Sequence, residues 1–390
     1  MATYRATNGK TMWCDPEHPH GHGASLDGIE RLITQNPEFK RKRELHPLAF
    51  QVEKAIAKYS GKKSEWSVLE NDPFMMDTPG NHKNAQWLVD ALATCGIDYE
   101  IHSRGIHYAV LMERLTKPNG ELYKNTDADS DWIEGVCSAA RWLGYIDFDM
   151  IEDHKHPEPY LVVREPVSPD GLLEEEPEIP DANELRPVAR LDGFEGTQPY
   201  RMALIGEKTS LRRVLGQISE QYGTDLCLLT GCISDTRIYQ IAKAAQDDGR
   251  PLVVGYFSDC DPWGWNMGVE ASRKLQALAT HQLPGLEFRL YRVALTPDRV
   301  HQLRADGLEL PESPIEIAGL SPQKQREKAA KRGRWVAAMG VEQVEIDALA
   351  TLNPELLEQI AVEFVEQFYD TGLDQRVRDA RAEWVRDAQA

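Results

Sequence analysis

The stretch Pro251–Gly268, PLVVGYFSDCDPWGWNMG, decides the fold. Its opening run, Leu252–Phe257, is apolar and partly β-branched with no polar alternation, the pattern of a strand buried on both faces. Where the run ends, Asp259 and Asp261 stand two residues apart, a spacing that sends both side chains the same way from an extended chain. Pro262 and Gly264 then break the extension ahead of a helix expected over Trp265–Leu278. Two carboxylates at the carboxyl end of a buried strand suit a divalent cation, at the usual ligand position of open α/β sheets. An Asp-x-Asp by itself is ordinarily a solvated turn, so the reading depends on what flanks it.

Working outward, Tyr200–Ile205 is a second apolar run that ends in Gly206-Glu207-Lys208. It leads into a helix with Leu211, Leu215 and Ile218 on one face. Asp225–Gly231 is a further expected strand and Thr236–Asp248 a helix carrying Ile238, Ile241 and Ala245, with Phe288–Leu295 as the last strand. Strand, Glu, helix, strand, helix, strand, Asp-x-Asp, helix, strand is an order that resembles a Toprim domain over Tyr200–Leu295. The form Asp-x-Asp-Pro-x-Gly, with Glu-Lys after the first strand, is most similar to the A subunit of topoisomerase VI and its meiotic break-making relatives. That resemblance implies DNA cleavage with Mg²⁺ or Mn²⁺ held by Glu207, Asp259 and Asp261. Glu207 has a second reading, as acid or base on the leaving 3′ oxygen.

Upstream, residues 46–160 read as a separate unit. His46–Tyr59 (with Phe50, Val52 and Ile56) and Asn81–Cys95 (with Trp87, Leu88 and Leu92) are expected helices, the second stopped by Gly96. Between them NDPFMMDTPGN is an expected loop. Ile106, Val110, Leu111 and Leu115 mark another helix, on which Arg104 and Tyr108 share a face. After Pro118-Asn119-Gly120, a helix capped by Ser130 or Asp131 should bury Ile133, Val136, Ala140 and Leu143 and close at Gly144. Tyr145–Asp149 then alternates as a β-wing would. Helix, turn, helix, wing is the winged-helix pattern, whose second helix docks on DNA.

In the same family a winged-helix domain precedes the Toprim domain and carries Arg-x-x-x-Tyr, whose tyrosine attacks DNA. Arg104 and Tyr108 match that segment, while Gly105 stands where the family usually has an acid and His107 where it commonly has an aromatic. The resemblance thus implies Tyr108 as nucleophile, Arg104 as its phosphate or phenolate partner, and a homodimer that shares its sites between subunits. The alternative is a helix tyrosine with a half-buried ring.

Composition bounds the rest. The chain has 390 residues, enough for two or three domains, and a net charge of −19, which argues against a wholesale basic footprint for DNA. No apolar signal segment opens it and no run reaches membrane-spanning length, so a cytoplasmic, nucleoid-associated protein is expected. Cys14, Cys95, Cys137, Cys227, Cys232 and Cys260 show no disulfide spacing. Residues 1–45 form an N-terminal extension in which Cys14, His18, His20 and His22 are either zinc ligands of no standard spacing or part of a flexible tail. Lys40, Arg41, Lys42 and Arg43 are either a solvated helix end or a DNA-touching arm. Residues 161–196 are rich in Pro and acid, the pattern of an extended linker.

The Toprim core is expected over 197–310, followed by a C-terminal basic segment and helices over 311–390. Lys324, Arg326, Lys328, Lys331, Arg332 and Arg334 mark either a solvated helix or a DNA-binding surface. Glu342, Glu345 and Asp347 either join the acidic site or cap the sheet. Pro354–Phe368 is an amphipathic helix with Leu357, Ile360, Phe364 and Phe368 inward, and the charged Asp374–Ala390 is the last helix. The fold expected is therefore α/β: a winged helix, then a Rossmann-like Toprim domain with C-terminal helices.

Three functions fit this reading: a type IIB topoisomerase-like cleaver making 5′-phosphotyrosyl breaks, a hydrolytic Toprim nuclease of the plasmid-restricting kind with Tyr108 structural, and a non-catalytic DNA-binding subunit. No Gly-x-x-x-x-Gly-Lys-Ser/Thr motif occurs, so ATP-driven strand passage would need a separate ATPase subunit.

Overall fold

Strands that are apolar on both faces must be covered from both sides, and the chain builds such a sheet between 201 and 292. The computed structural model describes residues 3–5, 11–13, 72–163, 170–175, 187–308, 310–313 and 321–389. Cys14, His18, His20, His22, Lys40–Arg43 and the expected His46–Tyr59 helix lie outside the described residues. Thr3–Arg5 (β1) and Thr11–Trp13 (β2) pair antiparallel.

Pro79–Cys95 (α1) starts where the Thr78 hydroxyl accepts the Asn81 amide and stops at Gly96, whose φ of +67° is left-handed. The expected loop before it contains one short 3₁₀ turn, Pro73–Met75. Ile101–His102 (β3) leads into Ser103–Met112 (α2), and Asp127–Trp142 (α3) follows a turn at Pro118–Gly120. The cap of α3 is Thr126, which accepts the Asp129 amide, rather than Ser130 or Asp131. The acids after Thr126 favour the helix N-terminus and are absorbed into its first turn. Leu88, Leu92, Ile106, Val110, Ile133 and Val136 form the core of this helical unit.

The expected wing is absent. Tyr145–Asp149 forms no strand: the chain turns at Gly144 (φ +74°), and Phe148–Met150 is a 3₁₀ turn. Phe148 is drawn inward against Trp142 and Tyr239, which ends any outward–inward alternation. Ile151–Glu152 (β4) instead pairs parallel with β3.

Of the stretch expected as a linker, residues 161–163, 170–175 and 187–196 are described. Tyr160 exchanges backbone hydrogen bonds with Leu226, and the Val162 amide donates to Asp225 at 2.7 Å, pinning the chain to the sheet. Asp170–Glu175 (β5) then pairs antiparallel with Pro187–Asp192 (β6). The hairpin falls among acids that conceal it in the sequence.

The sheet consists of Arg201–Gly206 (β7), Asp225–Leu228 (β8), Leu252–Phe257 (β9) and Phe288–Arg292 (β10), all parallel in the order β10-β9-β7-β8. Its crossovers are Arg212–Tyr222 (α4), Asp235–Asp248 (α5) and Pro262–His281 (α6). Along β9, Val253 and Phe257 enter one core with α4, while Leu252, Val254 and Tyr256 enter the other with α5 and α6. Gly264, expected to break the chain ahead of the helix, lies within the first turn of α6, and Pro262 is its first residue.

Beyond β10 come Pro297–Ala305 (α7), Pro322–Met339 (α8), Ile346–Leu352 (α9), Pro354–Glu366 (α10) and Leu373–Gln389 (α11). Phe364 of α10 covers the sheet at Gly255, where a Cβ would meet its ring at 2.5 Å. The helical unit is docked on α5 by buried polar groups: Arg141 binds Thr236 (2.9 Å), and Arg237 donates to the carbonyls of Asp153 and His156 (both 2.7 Å). Among the described residues no helix is long and apolar enough to cross a membrane, and Cys95, Cys137, Cys227, Cys232 and Cys260 are free thiols.

Candidate functional site

The chain runs from β7 outward to β8, then returns past β7 to form β9 on its other side. The carboxyl ends of β7 and β9 therefore flank the topological switch point, where open α/β sheets bind ligands. Glu207 follows β7 directly, and Asp259 lies two residues beyond β9. The pairing of Gly206 with Phe257 sets them side by side, and the Glu207 carboxylate accepts the Asp259 amide at 3.0 Å.

Both carboxylates are buried. Burial, followed by the charges of Asp259 and Asp261, pushes the Glu207 carboxyl from its ordinary 4.5 up to about 7. Asp259 is also raised by burial, against the opposing Ile346 amide (2.7 Å) and the Lys208 ammonium (3.1 Å). Asp261 caps α6 by accepting the Gly264 amide at 2.6 Å. The cap is tight because Gly264 lies against Asp259: a Cβ there would stand 2.4 Å from the Asp259 carbonyl oxygen.

A third segment completes the crevice. Cys260 and Val344 exchange backbone hydrogen bonds, bringing Glu345 and Asp347 onto the Asp-x-Asp loop. Lys208 lies 3.4 Å from both their carboxylates, and Ser210 also bonds Asp347. Burial works to lower the Lys208 ammonium, but Asp259, Asp347 and Glu345 outweigh it and hold the group above its ordinary range. Glu345 and Asp347 thus join the acidic site, whereas Glu342 pairs with Arg332 at 3.3 Å.

Sequence reading missed Arg292, at the end of β10. Its guanidinium carbon is 4.0 Å from the Trp265 ring centroid, and its Nε and Nη1 are buried without a hydrogen-bond partner among the described residues. Burial lowers it to about 10, so it stays charged at neutral pH. The available signal was its position, the carboxyl end of the last parallel strand.

Among the described residues, no three His, Cys, Asp or Glu side chains converge at metal-ligating spacing. Glu207, Asp259 and Asp261 are instead satisfied by backbone amides and Lys208. Their donor chemistry is all carboxylate oxygen, and burial raises the Glu207 and Asp259 carboxyls above their ordinary range.

Arg104 and Tyr108 are both exposed on one face of α2, Tyr108 at 59%. His107 points the other way into the core, bonded to the Tyr123 hydroxyl (2.7 Å) and Asn125 (3.2 Å). Gly105 has a packing reason, since a Cβ there would lie 2.6 Å from the Ile101 side chain. In the basic segment, Arg332 is engaged by Glu312 (2.7 Å) and the Ser313 carbonyl (2.8 Å) as well as Glu342. Arg326 and Arg334 are exposed on α8, and the side chains of Lys324, Lys328 and Lys331 lie outside the described residues. The chain matches no protein-family model and no curated protein.

Proposed function

We propose that this chain cleaves DNA in the manner of a topoisomerase VI A subunit, its acidic crevice acting on a phosphodiester and Tyr108 as nucleophile. The observation that carries the reading is the meeting of Glu207 and Asp259 at the switch point of a parallel sheet, with Asp261 capping the next helix. Arg292 adds to it, since a buried guanidinium with unsatisfied N–H groups suits an anion such as phosphate.

Mg²⁺ or Mn²⁺ held by Glu207, Asp259 and Asp261 would neutralise phosphate charge and steady the leaving 3′ oxygen. Tyr108 bonds to phosphorus as the bond to the 3′ oxygen breaks, leaving a 5′-phosphotyrosyl end. Arg104, one turn away on the same exposed face, stabilises the developing phenolate as the proton passes to solvent. In the alternative role, with Asp259 and Asp261 alone on the metal, the Glu207 carboxyl, raised by burial, would supply a proton to the 3′ oxygen. Tyr108 is exposed, and the reading includes a homodimer that pairs one subunit's tyrosine with the other's carboxylates. Strand passage would fall to a separate ATPase.

The Glu207 carboxyl, raised to about 7, favours a second reading, hydrolysis with Glu207 as general base and water as nucleophile. Trapping with SDS on supercoiled plasmid, with Mg²⁺ or Mn²⁺, separates the two. Transesterification leaves protein on the DNA and is abolished by both Tyr108→Phe and Asp261→Ala. If Tyr108→Phe cuts at the wild-type rate while Asp261→Ala is dead, the tyrosine mechanism is wrong and the chain is a metal nuclease.

A further inference from the structure

The chain leaves the helical unit through residues 153–156, and α5 with the loop ahead of it grips that bend. Ser234, which caps α5, donates its hydroxyl to the Asp153 carboxylate. Arg237 donates to the carbonyls of Asp153 and His156. From the loop ahead of α5, the Thr230 amide donates to Nδ1 of the buried His156 ring at 3.2 Å. A backbone N–H acts only as a donor, so Nδ1 carries no proton and the ring is neutral. We propose that His156 is an acid-sensitive latch: its neutral ring fastens the helical unit to the sheet, and protonation at Nδ1 releases the hold.

Protonated, Nδ1 turns from acceptor to donor and faces the Thr230 amide with a proton of its own. The Thr230 hydroxyl, 3.3 Å away, can turn to accept it, but the amide loses its partner. The new charge also arrives among like charges: Lys155 on the same bend, Arg237 of α5 and Lys274 of α6, against Asp153. Glu158 is engaged by Arg237 at 2.7 Å, and Lys274 by Asp235 and Glu270. Burial, joined by those three cations and opposed by Asp153, holds the docked imidazole below its ordinary 6.5. A ring released into water returns to its ordinary value, so the released state takes the proton first. Docking is thus at full strength above 6.5 and weakens by up to about tenfold per pH unit below it. Burial works to raise Asp153, but the Ser234 hydroxyl and the His156 and Lys155 amides outweigh it, so this carboxyl titrates well below the window. The latch sets how firmly the unit bearing Arg104 and Tyr108 is held, and it does not depend on DNA cleavage.

The test reads amide hydrogen exchange in the full chain, without ligand, from about pH 7.5 to about pH 5. Three amides report the hold: Thr230, and also Tyr160 and Leu226, which bond each other's carbonyls where the segment reaches β8. Their protection, corrected for intrinsic rate, should be level above 6.5 and fall together below it, approaching about tenfold per pH unit. His156→Asn offers the Thr230 amide an acceptor that does not titrate. Its protection should stay within about threefold of wild type at neutral pH and no longer fall in acid. His156→Phe offers no acceptor and should be roughly fivefold less protected throughout. Any pH dependence due to Glu207 is common to wild type and both variants, so it cancels in the comparison.

A level wild-type profile would overturn the proposal. So would a slope that persists in His156→Asn, because another group would then carry the proton. Loss confined to Thr230 would also overturn it, leaving a local bond and no latch. If neither variant folds, NMR titration of the wild-type His156 ring decides. A midpoint below 6.5, at the pH where the fall in protection levels off, supports the latch, and a midpoint at or above 6.5 refutes it.

Discussion

Replacing Glu207 with glutamine should stabilise the metal-free protein in mild alkali and change it little in acid. The Glu207 carboxyl is 7% exposed and is raised from 4.5 to about 7, first by burial and then by Asp259 and Asp261. Because the folded pKa lies above the unfolded one, the folded state binds more protons between these values, and wild-type stability falls as pH rises through the window. At about 1.4 kcal/mol per pKa unit, ionising the folded carboxyl costs about 3 kcal/mol once pH exceeds 7. Glutamine has nearly the same shape, retains an oxygen for the Asp259 amide at 3.0 Å, and does not ionise. Urea denaturation in chelator should find the variant within ~1 kcal/mol of wild type at about pH 5 and ~3 kcal/mol more stable at about pH 8. A difference that does not change with pH would refute the account of the crevice as an electrostatically strained carboxylate site.

Three further outcomes follow from the packing. Gly264→Ala puts a methyl 2.4 Å from the Asp259 carbonyl, so thermal denaturation should register a loss of roughly 2–3 kcal/mol; an unchanged midpoint would deny the close approach. Arg201 holds the buried Asp225 at 2.6 and 2.8 Å, and Arg201→Met should cost roughly 3–5 kcal/mol by leaving that carboxylate unpaired, with a substantial part recovered in Arg201→Met/Asp225→Leu. A double variant no better than the single would contradict this. Arg292→Gln should lower DNA affinity and reduce the slope of log affinity against log salt by about one, whereas Arg292→Lys keeps the slope; an unaltered slope removes Arg292 from the phosphate surface.

The sheet was legible because its strands carry their burial in their own composition. Leu252–Phe257 has the bounds expected of it, and the helix faces marked by Leu211, Leu215, Ile218, Ile238 and Ile241 all point into the two cores. The pairing of Glu207 with Asp259 follows once the strand order is known, yet the order is a matter of long-range packing that residue patterns do not carry. Short alternations were the least informative. Tyr145–Asp149 alternates like a strand, but the pull of Phe148 toward Trp142 and Tyr239 decides its shape. The acids of 161–196 likewise masked a hairpin whose apolar residues are few. The role of Lys208 was out of reach because two of its three partners arrive from 137 and 139 positions later in the chain.

That separation also sets a schedule. Chains emerge from the ribosome N-terminus first, at about 5–20 residues per second. The amide that fixes Asp259 belongs to Ile346, 87 residues downstream, so a nascent chain carries its Asp-x-Asp for roughly 4–17 s before that donor has been made. During the same interval Lys208 lacks Glu345 and Asp347, and Gly255 lacks the ring of Phe364 that covers it. The crevice is completed only once residues 344–347 have been made, and a product released before Val344 cannot form it.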